Sequence, residues 1–234
     1  MILPYNRYQA SNFSWSPDGK EIAYISDGGG QRNIWLIDAG GANNAQLTNN
    51  TDSNVLVFCP LWSADGRRVA YSSKLNDRSA VKNFYTASVV DLETKNTTAV
   101  VQSETFQRLI GWSQSDKEII VAAAKTGTGL PTEIKIIQVN TETGEQRQLA
   151  KLDAAYLYNI HLSADKKLLA YVSNKDGKDN VWVARPNGSE ARRITFNNDA
   201  RLYFSTLSWS PDNRTIYFGK QTRYSLLSMV TNFK

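Results

Sequence analysis

Short apolar segments separated by polar turn residues follow one another along the whole chain. Many of these segments are rich in Val, Ile and Tyr, as in residues 22–26 and 69–73. Such residues favour pleated strands, and the clusters of Gly, Pro, Asn and Asp between them favour turns. No stretch of about ten residues keeps a helical period of 3.6. The pattern therefore predicts an all-β protein.

One phrase recurs in phase along the chain. The first copy is Trp15-Ser-Pro-Asp-Gly-Lys-Glu-Ile-Ala-Tyr24, and four further copies begin at Trp62, Trp112, Leu162 and Trp209. The steps between these anchors are 47, 50, 50 and 47 residues. Regular self-similarity at this period is the sequence signature of a repeat architecture.

Each phrase predicts an apolar strand that ends at the Trp or Leu, then a tight turn, then a second strand. In the turn, Pro presets φ, Asp bonds back to the backbone and Gly takes a positive φ. We interpret one Asp per copy as a turn residue rather than a metal ligand. These residues are Asp18, Asp65, Asp116, Asp165 and Asp212.

A third and a fourth strand complete each repeat. The third strands are predicted at 34–38, 84–91, 134–140, 181–185 and 226–230, and the fourth at 46–48, 99–101, 147–149 and 193–195. Four short antiparallel strands in a repeat of about 40–50 residues are typical of a β-propeller blade. A β-sandwich would not repeat one turn in phase, so we predict an all-β propeller of about five four-stranded blades.

The fifth copy contains only three predicted strands. Ile2 precedes Trp15 by 13 residues, as Leu149 precedes Leu162. We therefore expect residues 1–4 to supply the missing fourth strand and close the ring, which removes exposed sheet edges. This makes residues 1–234 one domain. The alternative is a ring of six or more blades to which this chain contributes a segment.

The repeated phrase, together with Gln46-Leu-Thr48 at the end of a blade, resembles the TolB-like (WD-type) propeller repeat. The third and fourth copies are degenerate, because Pro and Gly are lost from their turns and Leu162 replaces Trp. The resemblance implies binding of protein partners. Similar propellers often form the C-terminal part of bacterial regulators, after a winged-helix DNA-binding domain or a Ser/Thr kinase domain. Prolyl-oligopeptidase-type peptidases carry similar propellers ahead of a hydrolase domain.

The residues offer no catalytic constellation. His161 is the only histidine and Cys59 the only cysteine, and there is no Gly-x-Ser-x-Gly motif. The Gly28-Gly29-Gly30 run lacks the Lys-Ser/Thr of a phosphate-binding loop. We therefore predict no enzyme activity, no catalytic residue, no metal and no cofactor.

Composition adds two limits on partners. The net charge is +5, but the Lys and Arg residues are spread along the chain, and no direct binding of nucleic acid is expected. No apolar run approaches about 18 residues, so no membrane insertion is expected. The compartment stays open: periplasmic if the protein is exported or membrane-tethered, otherwise cytoplasmic.

Aromatic and arginine residues cluster in the segments that lead into the first strands. Tyr and Arg are enriched at the centres of protein interfaces, although packing between blades would also use the tyrosines. We predict a binding rim from these residues. They are Tyr5, Arg7, Tyr8, Phe106, Arg108, Tyr156, Tyr158, Arg201 and Tyr203.

The function predicted from the sequence is a non-catalytic protein-interaction or sensory module. We expect a monomeric propeller that forms the C-terminal part of a bacterial signalling or transcription-regulatory protein. The alternative is a propeller that binds or processes a peptide or a saccharide through its central channel.

Overall fold

A computed structural model describes residues 13–76, 84–124, 133–222 and 225–231. For Phe106 and for residues 225–231 it describes the backbone only. The closing strand predicted at residues 1–4 lies outside the described residues. So do three residues of the predicted binding rim, Tyr5, Arg7 and Tyr8.

All regular structure in the described residues is β-strand. The strands are β1 (Phe13–Trp15), β2 (Glu21–Ser26), β3 (Asn33–Asp38), β4 (Ala45–Gln46), β5 (Val55–Trp62), β6 (Arg68–Leu75), β7 (Tyr85–Asp91), β8 (Thr97–Ser103), β9 (Phe106–Trp112), β10 (Glu118–Ala124), β11 (Glu133–Asn140), β12 (Gln146–Asp153), β13 (Ala155–Leu162), β14 (Leu169–Ser173), β15 (Asn180–Ala184), β16 (Arg192–Arg193), β17 (Tyr203–Trp209), β18 (Thr215–Gln221) and β19 (Ser225–Thr231).

These strands form five sheets in which sequence neighbours pair in order. Blades 1 to 4 are β1–β4, β5–β8, β9–β12 and β13–β16, and blade 5 contains β17, β18 and β19. Small up-and-down sheets repeated along the chain are the blades of a propeller. The all-β propeller prediction is confirmed.

The outer strands of blades 1 and 4 are shorter than predicted, with two residues each. In blade 1 the amide of Ile34 bonds to the hydroxyl of Thr48 at 2.9 Å, not to a backbone carbonyl. In blade 4 the amide of Val181 bonds in the same way to Thr195 at 2.9 Å. The backbone hydrogen bonding between the third and fourth strands ends there, because the Thr hydroxyl accepts the bond that a backbone carbonyl would otherwise accept.

The repeated turn has the predicted mechanics. Gly19 and Gly66 adopt φ values of 72° and 71°, which a glycine tolerates without strain. In the first copy the Asp18 carboxylate accepts hydrogen bonds from the Ser16 hydroxyl at 2.8 Å and from the Lys20 amide at 3.1 Å. The side chain therefore satisfies two groups of its own turn.

The assignment of Asp116 as the equivalent turn aspartate is wrong. Asp116 has φ 55° and occupies the position of Gly19, while Ser115 occupies the position of Asp18. The Glu118 carboxylate accepts hydrogen bonds from the hydroxyls of Ser113 and Ser115, so it supplies the missing negative charge. The turn of blade 3 thus keeps its geometry with different residues.

The chain divides into two compact units, and the prediction of one domain over 1–234 stays a prediction. Unit 1 comprises Met1–Ile119 and Val139–Glu145, and unit 2 comprises Ile120–Gln138 and Gln146–Lys234. The core of unit 1 lies between the facing sides of blades 1 and 2 and includes Ile34, Val57 and Val69. The core of unit 2 lies between blades 4 and 5 and includes Val181, Phe204, Leu207, Ile216 and Phe218.

The repeated Trp also links neighbouring blades. The Trp112 indole N–H donates to the Leu61 carbonyl of the preceding blade at 3.0 Å. In unit 2 the Trp209 indole N–H donates to the His161 carbonyl at 3.1 Å. In these two blades the anchor Trp ends a strand and ties its blade to the one before it.

Candidate functional site

The predicted rim residues that the structure describes fall into two groups. Phe106 and Arg108 lie in β9, and Arg108 is only 5% exposed, so its side chain is not part of an open surface. Tyr156, Tyr158, Arg201 and Tyr203 lie in unit 2, where the tyrosines sit in the first strands β13 and β17 and not in loops. We call these four residues the unit 2 rim.

A buried carboxylate joins the two blades beneath this rim. Asp179 is 2% exposed and accepts a hydrogen bond from the Tyr156 hydroxyl at 2.7 Å and one from the Asn174 amide at 3.0 Å. Its second oxygen accepts the backbone N–H of Phe204 in blade 5 at 3.0 Å. Because a buried carboxylate needs several donors, Asp179 fixes β13 against β17.

The environment of Tyr156 defines its chemistry. Burial raises the pKa of the Tyr156 hydroxyl to about 12, and the hydrogen bond and negative charge of Asp179 add to the effect. The phenol therefore stays protonated at physiological pH and acts as a hydrogen-bond donor. Its role is to hold the rim and not to exchange a proton.

The exposed part of the rim consists of Tyr158, Tyr203 and Arg201. Tyr158 is 48% exposed and Tyr203 60% exposed. The Arg201 guanidinium bonds to both carboxylate oxygens of Asp199, with Nε at 3.0 Å from Oδ1 and Nη2 at 2.9 Å from Oδ2. The hydrogen bonds from Arg201 hold the pKa of the Asp199 carboxyl at about 2. The pair fixes the direction of the guanidinium while leaving its outer face open.

An Asn–Thr–Asn network, not predicted from the sequence, holds the segment that carries Arg201. The side-chain oxygen of Asn180 accepts the Thr195 hydroxyl at 3.0 Å and the Asn197 amide at 2.8 Å. The Asn197 side chain then accepts the Asp199 amide at 3.0 Å. The approach to the rim is therefore fixed by hydrogen bonds from β15 onward.

Blade 1 builds the same network from Asn33, Thr48 and Asn50. Asn33 and Asn180 each begin a third strand, and each precedes its Thr by 15 residues and its second Asn by 17. This shared spacing is the signal that could have revealed the network.

The described residues contain no group of three or more His, Cys, Asp or Glu side chains that could hold a metal ion. Cys59 is buried at a bulge of β5 with φ 55°. In this part of the chain there is also no helix that could cross a lipid bilayer.

Comparison with known families decides the classification. The model of the TolB beta propeller domain matches residues 34–233, from the third strand of blade 1 through every later repeat. The chain belongs to this family. The resemblance drawn from the repeated phrase is therefore confirmed.

Relatives of this TolB-family propeller include both TolB proteins and peptidases. The chain is 25% identical over 206 residues to dipeptidyl-peptidase 5 of Porphyromonas gingivalis, which covers 82% of the chain and 28% of that relative. The chain thus spans less than a third of the peptidase.

Two solved structures show the same fold. TolB from Acinetobacter baumannii has a TM-score of 0.69 at 21% identity, and the match covers 94% of this chain and 51% of that one. Dipeptidyl peptidase 4 of Porphyromonas gingivalis has a TM-score of 0.63 at 16% identity, and the match covers 94% and 37%. At these identities the likeness extends to the fold alone.

Proposed function

We propose that this TolB-family propeller is a non-catalytic protein-interaction module and that it serves a bacterial signalling or transcription-regulatory protein. The observation that carries the proposal is the unit 2 rim. There, two exposed tyrosines and an oriented arginine stand on a frame held by Asp179 and Asp199.

A rigid rim of this composition suits protein recognition. Tyrosine offers a large contact area with few rotatable bonds, and arginine offers a planar set of donors. Ordering such side chains on binding costs about 0.5–1.5 kcal/mol each, and a site whose frame is already fixed avoids part of that cost. Tyr156 is tied to Asp179 and Arg201 to Asp199, so both are ordered before a partner arrives.

The experiment is a binding titration with a partner identified at the site. A photo-crosslinking amino acid at position 200, an exposed residue beside Arg201, captures the protein that contacts the rim, and mass spectrometry identifies it. The purified partner is then titrated against the wild type and against the double variant Tyr158→Ser/Tyr203→Ser. We expect the double variant to bind at least about tenfold more weakly, because removing an aromatic anchor costs about 2 kcal/mol or more.

Tyr217→Ser is the matched control, because Tyr217 is an exposed tyrosine of the same unit at 43% exposure. It should leave affinity unchanged, and all variants should keep the melting temperature of the wild type. Equal affinity of the double variant and the wild type would show that the rim is not the interface. Arg108→Glu is unsuitable as a probe, because it would bury a carboxylate.

The regulatory part of the proposal is supported by the likeness of the repeat to propellers of bacterial regulators. The reading frame upstream of the Met1 codon tests it. We expect an in-frame winged-helix or Ser/Thr kinase domain. A stop codon directly upstream would contradict the regulatory role and leave the interaction role standing.

A second candidate is the propeller of a peptidase, which would bind peptides through its channel. The match to dipeptidyl-peptidase 5 over 82% of the chain favours it. An in-frame hydrolase domain downstream, with a Gly-x-Ser-x-Gly motif, would select this candidate over the regulator.

A further inference from the structure

The charge of the protein is distributed unequally between its two units. Unit 1 contains 11 Lys and Arg residues against 14 Asp and Glu, a net charge of −3. Unit 2 contains 16 against 8, a net charge of +8. The modest total of +5 therefore conceals one strongly basic unit, which is the unit that carries the rim.

The basic residues of blade 4 are organised around aromatic rings at its outer edge. The Lys175 ammonium lies 3.6 Å from the centre of the Trp182 ring. Trp182 pairs across the strands with Arg193, whose guanidinium lies 4.8 Å from the centre of the Phe196 ring. We call Lys175, Trp182, Arg192, Arg193 and Phe196 the blade 4 edge.

The blade 4 edge presents both positive charge and apolar surface. Phe196 is 76% exposed, the highest value among the large hydrophobic residues described as exposed. Asp176 pairs with Arg193 at 3.3 Å, whereas Lys175 and Arg192 form no ion pair with any carboxylate that the structure describes. Two exposed cations beside an open ring can receive carboxylates and an apolar side chain together.

We propose that the blade 4 edge binds an acidic segment of a partner protein. This inference rests on the proposed function and names the chemistry of the partner. Phe196 and Arg201 lie near the two ends of the segment that connects β16 with β17, so one short segment of unit 2 contributes to both the edge and the rim.

The geometry favours an acidic polypeptide over a nucleic acid. Proteins that hold single strands offer open aromatic faces on which bases stack. Here Lys175 covers a face of the partly buried Trp182, so Phe196 is the only ring of the blade 4 edge with an open face for stacking. Lys175 and Arg193 are held in place by their ring contacts and are suited to charge-assisted hydrogen bonds with carboxylates.

Fluorescence anisotropy on the full chain tests the proposal with three labelled probes. These are a 12-residue peptide of alternating Glu and Ala, the matched Gln–Ala peptide, and a 12-nucleotide oligo(dT). We expect the Glu–Ala peptide to bind about tenfold more tightly than the Gln–Ala peptide, with an affinity that falls as salt is added.

Two double variants with the same change of charge locate the site. Lys175→Glu/Arg192→Glu should weaken binding of the Glu–Ala peptide about tenfold. Lys167→Glu/Arg214→Glu changes two exposed residues beside the turns of blades 4 and 5 and should leave affinity within about twofold. Both should keep the wild-type melting temperature.

Four results would overturn the proposal. Equal binding of the Glu–Ala and Gln–Ala peptides would show that charge is not recognised, and equal loss in both double variants would show only a non-specific charge effect. Tighter binding of oligo(dT) through Lys175 and Arg192 would assign the edge to nucleic acid. A partner that needs Tyr158 and Tyr203 but not Lys175 and Arg192 would preserve the interaction function while refuting the acidic partner.

Discussion

The Arg68 guanidinium lies 5.0 Å from the centre of the Trp112 ring, which joins the second strand of blade 2 to the anchor of blade 3. The same guanidinium donates a hydrogen bond of 2.7 Å to the Asp116 carbonyl. The Asp116 carboxylate in turn accepts the Asp65 amide of blade 2 at 3.1 Å. These contacts hold two neighbouring turns of unit 1 together.

Replacing Arg68 by Ala should therefore destabilise the protein. The variant loses a ring contact and a charged hydrogen bond, and we expect a loss of about 1–3 kcal/mol in the free energy of unfolding. Urea denaturation measures it. Arg67→Ala, which changes the exposed neighbour, should stay within about 0.5 kcal/mol of the wild type. Equal losses in the two variants would mean that the contacts of Arg68 do not stabilise the fold.

The buried carboxylate of Asp179 gives a second prediction. In Asp179→Asn one acceptor oxygen becomes a donor, which leaves either the Phe204 amide or the Tyr156 hydroxyl without its partner. We expect a loss of about 1–3 kcal/mol in unfolding free energy, since an unsatisfied buried polar group carries its full desolvation cost. Asp176→Asn, at an exposed ion pair, should cost less than about 1 kcal/mol. A neutral effect of Asp179→Asn would contradict the role assigned to this carboxylate.

The turn carboxylates predict loss of stability in acid. Hydrogen bonds from Ser16, Ser163 and Ser210 lower the pKa of Asp18, Asp165 and Asp212 below the usual 3.8. Because the folded state favours the ionised form, this contribution is complete above about pH 5 and is lost as pH falls through the lowered pKa values.

Thermal melts between pH 7 and pH 2.5 measure this dependence. The melting temperature should fall with decreasing pH below about 4. The double variant Asp165→Asn/Asp212→Asn should show a weaker dependence than the wild type. A melting temperature that rises on acidification would have the wrong sign for carboxylates stabilised by donors.

Two residues at positive φ predict opposite effects of substitution by Gly. Lys95 is exposed in the turn between β7 and β8 and has φ 59°, where a side chain is strained, so Lys95→Gly should stabilise the protein by about 0.5 kcal/mol. Asn213 has φ 59°, but its side chain accepts the Asp165 amide of blade 4 at 3.3 Å. Asn213→Gly should therefore destabilise by about 1 kcal/mol. Differential scanning calorimetry compares the two, and equal signs would contradict this account.

Particular residues show how far sequence reasoning reached. The five first strands end at the predicted anchors, because an apolar strand followed by a tight turn is a local pattern. Asp116 is not the counterpart of Asp18, because the third copy has Ser115 at that position and Asp116 at the position of Gly19. The outer strands of blades 1 and 4 are shorter than the sequence predicts. The hydroxyls of Thr48 and Thr195 accept the amides of Ile34 and Val181, so the backbone pairing between strands stops there.

The binding rim stays a prediction, and the structure separates its residues by burial. Tyr158, Tyr203 and Arg201 are exposed to solvent. Arg108, which the sequence places in the same type of segment, is buried in β9. Residue type alone cannot separate an arginine that packs inside from one that faces solvent. That choice depends on what the neighbouring blade places beside the side chain.

Strand order, turn chemistry and family membership are encoded in short stretches of this chain, because each depends on residues within a few positions of one another. The contact between Arg68 and Trp112 and the hydrogen bond between Asp179 and Phe204 join residues that are distant in sequence. Folding brings such residues together through the packing of whole blades. The repeated phrase therefore predicts the architecture, whereas the surface that could meet a partner emerges only when the blades are assembled.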